Sequence, residues 1–371
     1  DVGDYAPLLV KTSNELAADS RSMHKSQGFG SAERRGHQLN YFRVVAGDTT
    51  TTDPFEGIDL SWNRVAGGKR IGSMIESIRD DFDPRSPSAS LPALASLYGA
   101  IASLPDAGGR TGNAETIARK LGDLREIIRS CAGLWLEAVS VEVAVSGGDS
   151  LHVTATAVNR SAGSIQFTRA TLDLAGHPSV VRIESGRPLA DNTPISLPMG
   201  LVIPNDIDWT ATQPYWLRKP HERGSHVLDD TSILNHPDND PVAVMHFEMV
   251  VSGQPMTWDV PVVNRAVDRV KGELYRPLAV VPPVTAHLDQ QVYLFADRQP
   301  RPVTVTVTSR RTGNGTVQLE MPDGWSVNPA SAPLRLTAAG PPVPVTFQVT
   351  PPVATSPATP PVMTARVDLD G

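Results

Sequence analysis

The chain has 371 residues, enough for two to four domains, and its formal net charge of −7 with no basic block excludes a nucleic-acid footprint. One cysteine, Cys131, rules out an intrachain disulfide, and no apolar run approaches the roughly 20 residues of a membrane span. Hydrophobic residues at 40% and charged residues at 20% are ordinary for a globular protein, whereas Pro 33 and Gly 29 favour turns and short strands over long helices.

Thr12-Ser-Asn-Glu15 has the form of a capping box, in which a hydroxyl at the N-cap and a glutamate three residues later each satisfy an orphan backbone N–H. The spacing predicts a helix from there to about Gln27, stopped by Gly28 and Gly30, with Leu16, Ser20, Met23 and Gln27 on one stripe. Residues 31–69 are polar and glycine-rich and read as a long ordered loop, because Phe55, Ile58, Leu60 and Trp62 are residues of the buried kind. Residues 70–136 carry three helical periods: Ile71, Ile75 and Ile78; Leu91, Leu94, Leu97, Tyr98 and Ile101; and Ile117, Leu121, Leu124 and Ile128. Pro84, Pro87, Pro92, Pro105, Gly108 and Gly109 supply the breaks. Three short amphipathic helices bury little alone, so a small bundle packed on a neighbour is expected.

After Leu136 the period changes from 3.6 to 2. Residues 139–145, 151–158, 165–174, 242–251 and 256–263 alternate apolar with polar, the pattern of strands with one face in a core, and their spacing predicts an antiparallel sandwich. Gly272-Glu-Leu-Tyr-Arg-Pro277 and Pro282-Pro283 read as a linker. Beyond it, residues 303–308, 317–321, 343–349 and 362–369 predict a second β module, interrupted by the proline-rich stretch Pro351–Pro361.

Three stretches carry a resemblance. Met23-His-Lys-Ser-Gln-Gly-Phe29 resembles the last conserved motif of the PIG-L/LmbE-like N-acetylglucosaminyl deacetylases, with Ala17 and Ser20 standing where that family carries lysine and alanine. Gln213-Pro-Tyr-Trp-Leu217 and Val267–Pro277 resemble the β region that follows the catalytic domain in large bacterial members. Leu319-Glu-Met-Pro-Asp-Gly-Trp-Ser-Val-Asn-Pro329 is similar to the immunoglobulin-like domain associated with α-galactosidases, where a Pro–Gly–Trp turn joins two strands.

The resemblance implies a zinc hydrolase acting on N-acetyl groups of amino sugars or glycoconjugates, with His24, Lys25, Ser26 and Gln27 at the rim of its site. The family's zinc motifs, His-Pro-Asp-Asp and a later His-x-x-His, are absent from this sequence, and its nine histidines show no His-x-x-His spacing. A hydrolytic zinc needs about three protein ligands and a carboxylate to take the proton of its water. The expectation is therefore a C-terminal part of such an enzyme: zinc in the full-length protein, none in this chain, and a missing N-terminal catalytic region. The implied setting is an exported, periplasmic or extracellular bacterial protein, not transmembrane.

Other candidates have simpler readings beside the functional one. Trp62 reads either as a sugar contact or as part of a loop plugging a domain junction, and Asp53, Glu56 and Asp59 as a cation group or as surface charge. His221, His226, His236 and His246 read as a metal cluster or as scattered loop histidines. Trp209, Tyr215 and Trp216 read as a sugar-stacking platform or a loop anchor, and Trp325 as the cover of a sandwich end. No Gly-x-Ser-x-Gly, phosphate loop or dinucleotide fingerprint occurs.

The expected fold is mostly β with a helical N-terminal part. Residues 1–69 hold the catalytic-domain tail and the loop, 70–136 the helices, 137–271 a β-sandwich and 272–371 an immunoglobulin-like β-sandwich. The alternative to the deacetylase reading is a non-catalytic exported module that binds glycan or a partner protein.

Overall fold

A computed structural model describes residues 1–27, 30–47, 56–105, 113–175, 177–220, 223–228, 231–234, 236–353 and 362–370. The chain forms two compact units, Asp1–Arg64 and Val65–Gly371.

In the first unit, strands β1 (Tyr5–Ala6) and β2 (Lys11–Thr12) pair antiparallel and lead into helix α1 (Ser13–Met23). The capping box is formed. Thr12 Oγ1 accepts the Glu15 N–H at 3.2 Å and Glu15 Oε2 accepts the Thr12 N–H at 2.8 Å. Glu15 is buried, and its other oxygen receives Arg35 Nε at 2.8 Å. The helix stops at Met23, four residues short of the expected Gln27. The His24 N–H turns to the Arg21 carbonyl at 3.1 Å, and Lys25–Gln27 tighten into a 3-10 turn. Gly28 lies outside the described residues. Leu16, Ser20 and Met23 face solvent.

The described part of the expected long loop, up to the helix that starts at Gly68, does not bury the apolar side chains singled out in it. Ile58 and Leu60 are exposed and only Trp62 is half-buried, in the 3-10 turn Trp62–Arg64. That turn is organised by polar contacts instead: Asp59 Oδ1 accepts the Ser61 N–H at 2.8 Å, and Ser61 Oγ accepts the Asn63 N–H at 3.1 Å. Phe55 lies outside the described residues.

The second unit opens with helices α2 (Gly68–Asp80), α3 (Leu91–Ala102) and α4 (Ala114–Cys131). Their inward faces are the ones the periodicity marks: Ile71, Leu91, Leu94, Leu97, Ile101, Ile117, Leu124 and Ile128 are buried. α3 packs on α2 and α4 and rests on the sandwich that follows. Leu91 fills the space that a Cβ at Gly163 would occupy, and Arg125 Nη1 donates to the Thr257 carbonyl at 2.9 Å.

The first sandwich comprises β3 (Trp135–Ser140), β4 (Ala144–Val145), β5 (Ser150–Val158), β6 (Ile165–Leu174), β7 (His177–Pro188), β8 (Ile195–Val202), β9 (Ala243–Val251), β10 (Gln254–Asp268), β11 (Gly272–Pro277) and β12 (Ala279–Val280). The main sheet runs β7-β6-β9-β10-β3-β5-β8, with β11 also on β10. Three features differ from expectation. The Gly272–Pro277 linker is a strand, because Asp268 Oδ1 accepts the Val270 and Lys271 N–H groups at 2.8 Å and turns the chain back along β10. The sandwich is not purely antiparallel: β3 pairs parallel with β10, and β4 parallel with β12. Finally, β7 and β8 are strands that the sequence pattern does not mark, although β8 buries Ile195, Leu197 and Met199 in alternation. β8 holds Pro198 and Gly200, and it lies at a sheet edge, where a missing N–H is tolerated.

The second sandwich sets β13 (Val284–Leu288), β14 (Arg301–Ser309), β18 (Val343–Thr350) and β16 (Ser326–Asn328) against β17 (Ala332–Leu336), β15 (Gly313–Glu320) and β19 (Thr364–Leu369). Val303, Val305, Val307, Val317, Phe347 and Val349 are fully buried between the two sheets. Each such side chain contributes about 1.5–3 kcal/mol on removal from water. The fold is thus mostly β, with a helical N-terminal part followed by two immunoglobulin-like β-sandwiches. The segment leading from the first sandwich to the second is held by Ser146 Oγ donating to the Val281 carbonyl at 2.9 Å, and Arg310 of the second sandwich reaches Asp149 of the first at 3.2 Å. Among the described residues no helix is long and apolar enough to cross a membrane.

Candidate functional site

The His24–Gln27 turn owes its position to the capped helix before it. His24 is the C-cap of α1, and its ring Nδ1 lies 3.1 Å from the Ser20 carbonyl oxygen one turn back. A carbonyl only accepts, so Nδ1 carries the hydrogen and the neutral ring keeps its lone pair on Nε2. The next three residues form one turn closed by the Gln27 N–H on the His24 carbonyl at 3.1 Å. The side chains of His24, Lys25, Ser26 and Gln27 are all exposed, and no described residue hydrogen-bonds the Ser26 hydroxyl or the Gln27 amide. The turn therefore offers a ring nitrogen, an ammonium, a hydroxyl and a carboxamide within four residues. No described contact brings Trp62 to it.

A second set of groups in the same unit gave no local signal in the sequence. Asp1, Asp4 and His37 place one ligand atom each within 4.8 Å of one another. They converge because residues 36–38 fold back on the chain start. Asp1 Oδ1 accepts the Gly3 N–H at 2.8 Å and the Gln38 N–H at 2.7 Å, and its Oδ2 meets His37 Nδ1 at 2.6 Å. Gly3, Asp4, Tyr5, Thr12, Glu15, Arg35 and His37 line a depression of about 630 Å³ there. The Thr12 backbone N–H, followed by the Thr12 hydroxyl and Arg35, holds the Glu15 carboxyl below its ordinary value.

These residues do not fit a hydrolytic zinc centre. His24 belongs to no group of three ligating side chains among the described residues. Asp1, Asp4 and His37 are exposed, and Asp1 already spends its oxygens on two amides and the His37 ring. Neither set supplies several ligands together with a free carboxylate base.

The remaining candidates separate. Glu56 and Asp59 join no group of three ligands among the described residues, and Asp53 lies outside them. Bonds from the Ser61 hydroxyl and amide hold the Asp59 carboxyl low. His236 lies 3.5 Å from Asp240, and His246 2.6 Å from Asp259 on the adjacent strand. His221 is outside the described residues, and the others do not converge. Tyr215 and Trp216 stack edge to face at 4.9 Å. Asn239 ties the Tyr215 segment down by accepting its N–H at 3.1 Å and donating to the carbonyls of Ala211 and Gln213.

Trp325 packs edge to face on Phe295 at 4.9 Å, against the core of the second sandwich. With Tyr293 and Gln291 these rings line a cavity of about 330 Å³. Burial and the Asp289 carboxylate push the Tyr293 phenol up to about 12.

No family model matches the chain, and no curated protein matches it. Among solved structures, a red sea bream transglutaminase is similar over 71% of this chain and 32% of its own, at 12% identity and a TM-score of 0.31. The sporulation control protein Spo0M of Bacillus subtilis is similar over 58% of this chain and 90% of its own, at 9% identity and a TM-score of 0.21. The native alpha-2-macroglobulin of E. coli is similar over 64% of this chain and 16% of its own, at 10% identity and a TM-score of 0.18. The chain thus spans about a third of the transglutaminase and less of the macroglobulin. Likenesses of this size carry no argument about activity.

Proposed function

We propose that this chain is part of a PIG-L/LmbE-like deacetylase and that the His24–Gln27 turn forms the rim of a site hydrolysing N-acetyl groups of amino sugars or glycoconjugates. The observation that supports this reading is the exposed His24 ring. Its Nδ1 is committed to Ser20, which leaves Nε2 able to accept a hydroxyl hydrogen bond beside three further exposed polar side chains. Gln27 offers a donor and an acceptor to a sugar hydroxyl or an acetamido group. Zinc, with its ligands, belongs to a catalytic region that these residues do not supply. The two sandwiches then flank the cleft or hold the enzyme to polysaccharide, in an exported bacterial protein.

The test is acetate release from N-acetylglucosamine oligosaccharides by the protein as its gene encodes it, with and without chelator. Chelator-sensitive release is expected, with His24→Ala lowering kcat/KM about tenfold or more, ~1.4 kcal/mol, at unchanged thermal stability. An inert full-length protein removes the deacetylase reading. The 371-residue chain alone is expected to release no acetate under zinc, and chelator-sensitive turnover by it at enzyme-like rates would place the ligands within it.

A second reading, a non-catalytic glycan-binding module, is favoured by the aromatic cavity at Tyr293, Phe295 and Trp325. Saturable calorimetric binding of those oligosaccharides by the 371-residue chain, lost in Tyr293→Ala, would select it.

A further inference from the structure

We infer that the groove where helices α3 and α4 meet strands β9 and β10 binds an uncharged sugar ring. The groove has a volume of about 280 Å³. Tyr98 of α3, Arg125 of α4, Thr168 of β6, Glu248 of β9 and Thr257 of β10 line it, with Met256 among its apolar residues. Local structure brings these polar groups together. The pairing of β6 is irregular between Phe167 and Arg169, so the consecutive side chains of Thr168 and Arg169 both lie outside the core that holds Phe167 and Ala170. Cross-strand register then sets Arg169, Glu248 and Thr257 side by side on β6, β9 and β10. The helices are fixed to that sheet. Arg125 Nη1 donates to the Thr257 carbonyl at 2.9 Å, and a Cβ at Gly99 of α3 would stand only 2.8 Å from Gln254 Oε1. A site carried by helices and strands is held in place before its ligand arrives.

These groups are unspent. No described residue hydrogen-bonds the hydroxyls of Tyr98, Thr168 and Thr257 or the carboxylate of Glu248. Arg169 Nη1 stands 3.7 Å from Glu248 Oε1, beyond hydrogen-bond length, and Arg169 Nε is buried with no partner among the described residues. The chemistry of the set selects the ligand. An anion would meet Glu248, and a cation would meet Arg125 and Arg169. An apolar ligand would strip water from all of these groups and return no hydrogen bond. Sugar hydroxyls both donate and accept, so one ring can give hydrogens to Glu248 while taking them from Arg125 and the hydroxyl side chains. Tyr98 adds an apolar ring with a polar tip, the counterpart of a sugar's C–H face and hydroxyl rim. The volume falls just below the range of drug-sized sites, which starts at about 300 Å³, and suits a single ring. The groove shares no residue with the cavity at Tyr293, and the inference stands without the deacetylase reading. It gives the first sandwich its own hold on a polysaccharide.

Calorimetric titration of the 371-residue chain with cellohexaose, maltohexaose, laminarihexaose and chitohexaose tests the inference. Saturable binding of at least one of these neutral chains is expected, and none of oligogalacturonate, which is anionic, or of chitosan oligomers, which are cationic. Glu248→Gln removes the charge at nearly constant size and is expected to weaken binding about tenfold or more at unchanged thermal stability. Tyr98→Phe, which loses only a hydroxyl, is expected to weaken it about threefold, and it decides alone if Glu248→Gln does not fold. Tyr293→Ala is expected to leave it unchanged. Silence across the neutral chains overturns the inference. So does tighter binding of a charged oligomer, and so does an affinity that Glu248→Gln and Tyr98→Phe both leave intact. Binding lost in Tyr293→Ala and kept in both groove variants removes this groove and keeps the glycan reading of the Tyr293 cavity, and the opposite pattern does the reverse.

Discussion

β14 and the run 39–45 are built from similar residues and meet opposite fates. Val303-Thr-Val-Thr-Val307 alternates, and its valines are fully buried against Phe347 and its neighbours. Leu39-Asn-Tyr-Phe-Arg-Val-Val45 is at least as apolar and lies wholly in solvent. Composition therefore does not decide burial here. Pattern separates them: β14 puts all its valines on one face, whereas residues 39–45 divide their apolar side chains between two faces, with Arg43 between Tyr41 and Val45 and Asn40 beside Phe42 and Val44.

The largest expected effect tests that contrast directly. Phe347→Ala empties a site with no solvent exposure and should cost about 3–5 kcal/mol in urea unfolding of the 371-residue chain. Phe42→Ala should fall within about 0.5 kcal/mol, and equal losses would erase the difference between the two regions. A smaller effect concerns the helix that carries His24. Thr12→Ala removes one half of the capping box and should cost α1 about 1 kcal/mol, read as faster exchange of its amides with β14 unaffected.

The pH dependence sharpens the same division. The Glu15 carboxyl is held below its ordinary 4.5 by the Thr12 N–H, so its contribution is complete above that pH and is lost as pH falls through its lower folded value. Acidification below 4.5 should loosen α1, and Glu15→Gln should flatten that profile. The smallest effect is at the alkaline end. The Tyr293 phenol, pushed up to about 12, contributes stability that is present below the ordinary 10 and is lost as pH rises through the folded value. Phenolate absorbance should show a late-titrating component that Tyr293→Phe removes.

Much of this architecture was legible in the sequence. The Thr12–Glu15 box, the three helical stripes and the Val303–Thr308 alternation are local patterns with one physical reading, and the structure forms each. What stayed hidden depends on distant partners. β8 reads poorly because its Pro198 is tolerable only at an edge, and edge position is set by pairing with β5. β11 reads as a linker until β10 lies beside it. Asp1, Asp4 and His37 meet only because the segment around Gly36 returns to the chain start. The His24 turn was found by resemblance. Its tautomer was not legible, since that follows from a carbonyl one helical turn away.

The long strand β10 belongs to both halves of the first sandwich, pairing with β9 through residues 254–261 and with β3 through residues 262–264. Asn264 donates to the Ser140 carbonyl at a sequence separation of 124. On the ribosome, β3 and β5 therefore emerge long before the strand that completes their sheet. The nascent polypeptide must hold an unfinished hydrophobic layer through that interval, which makes this stretch the point in biosynthesis where a chaperone has most to do.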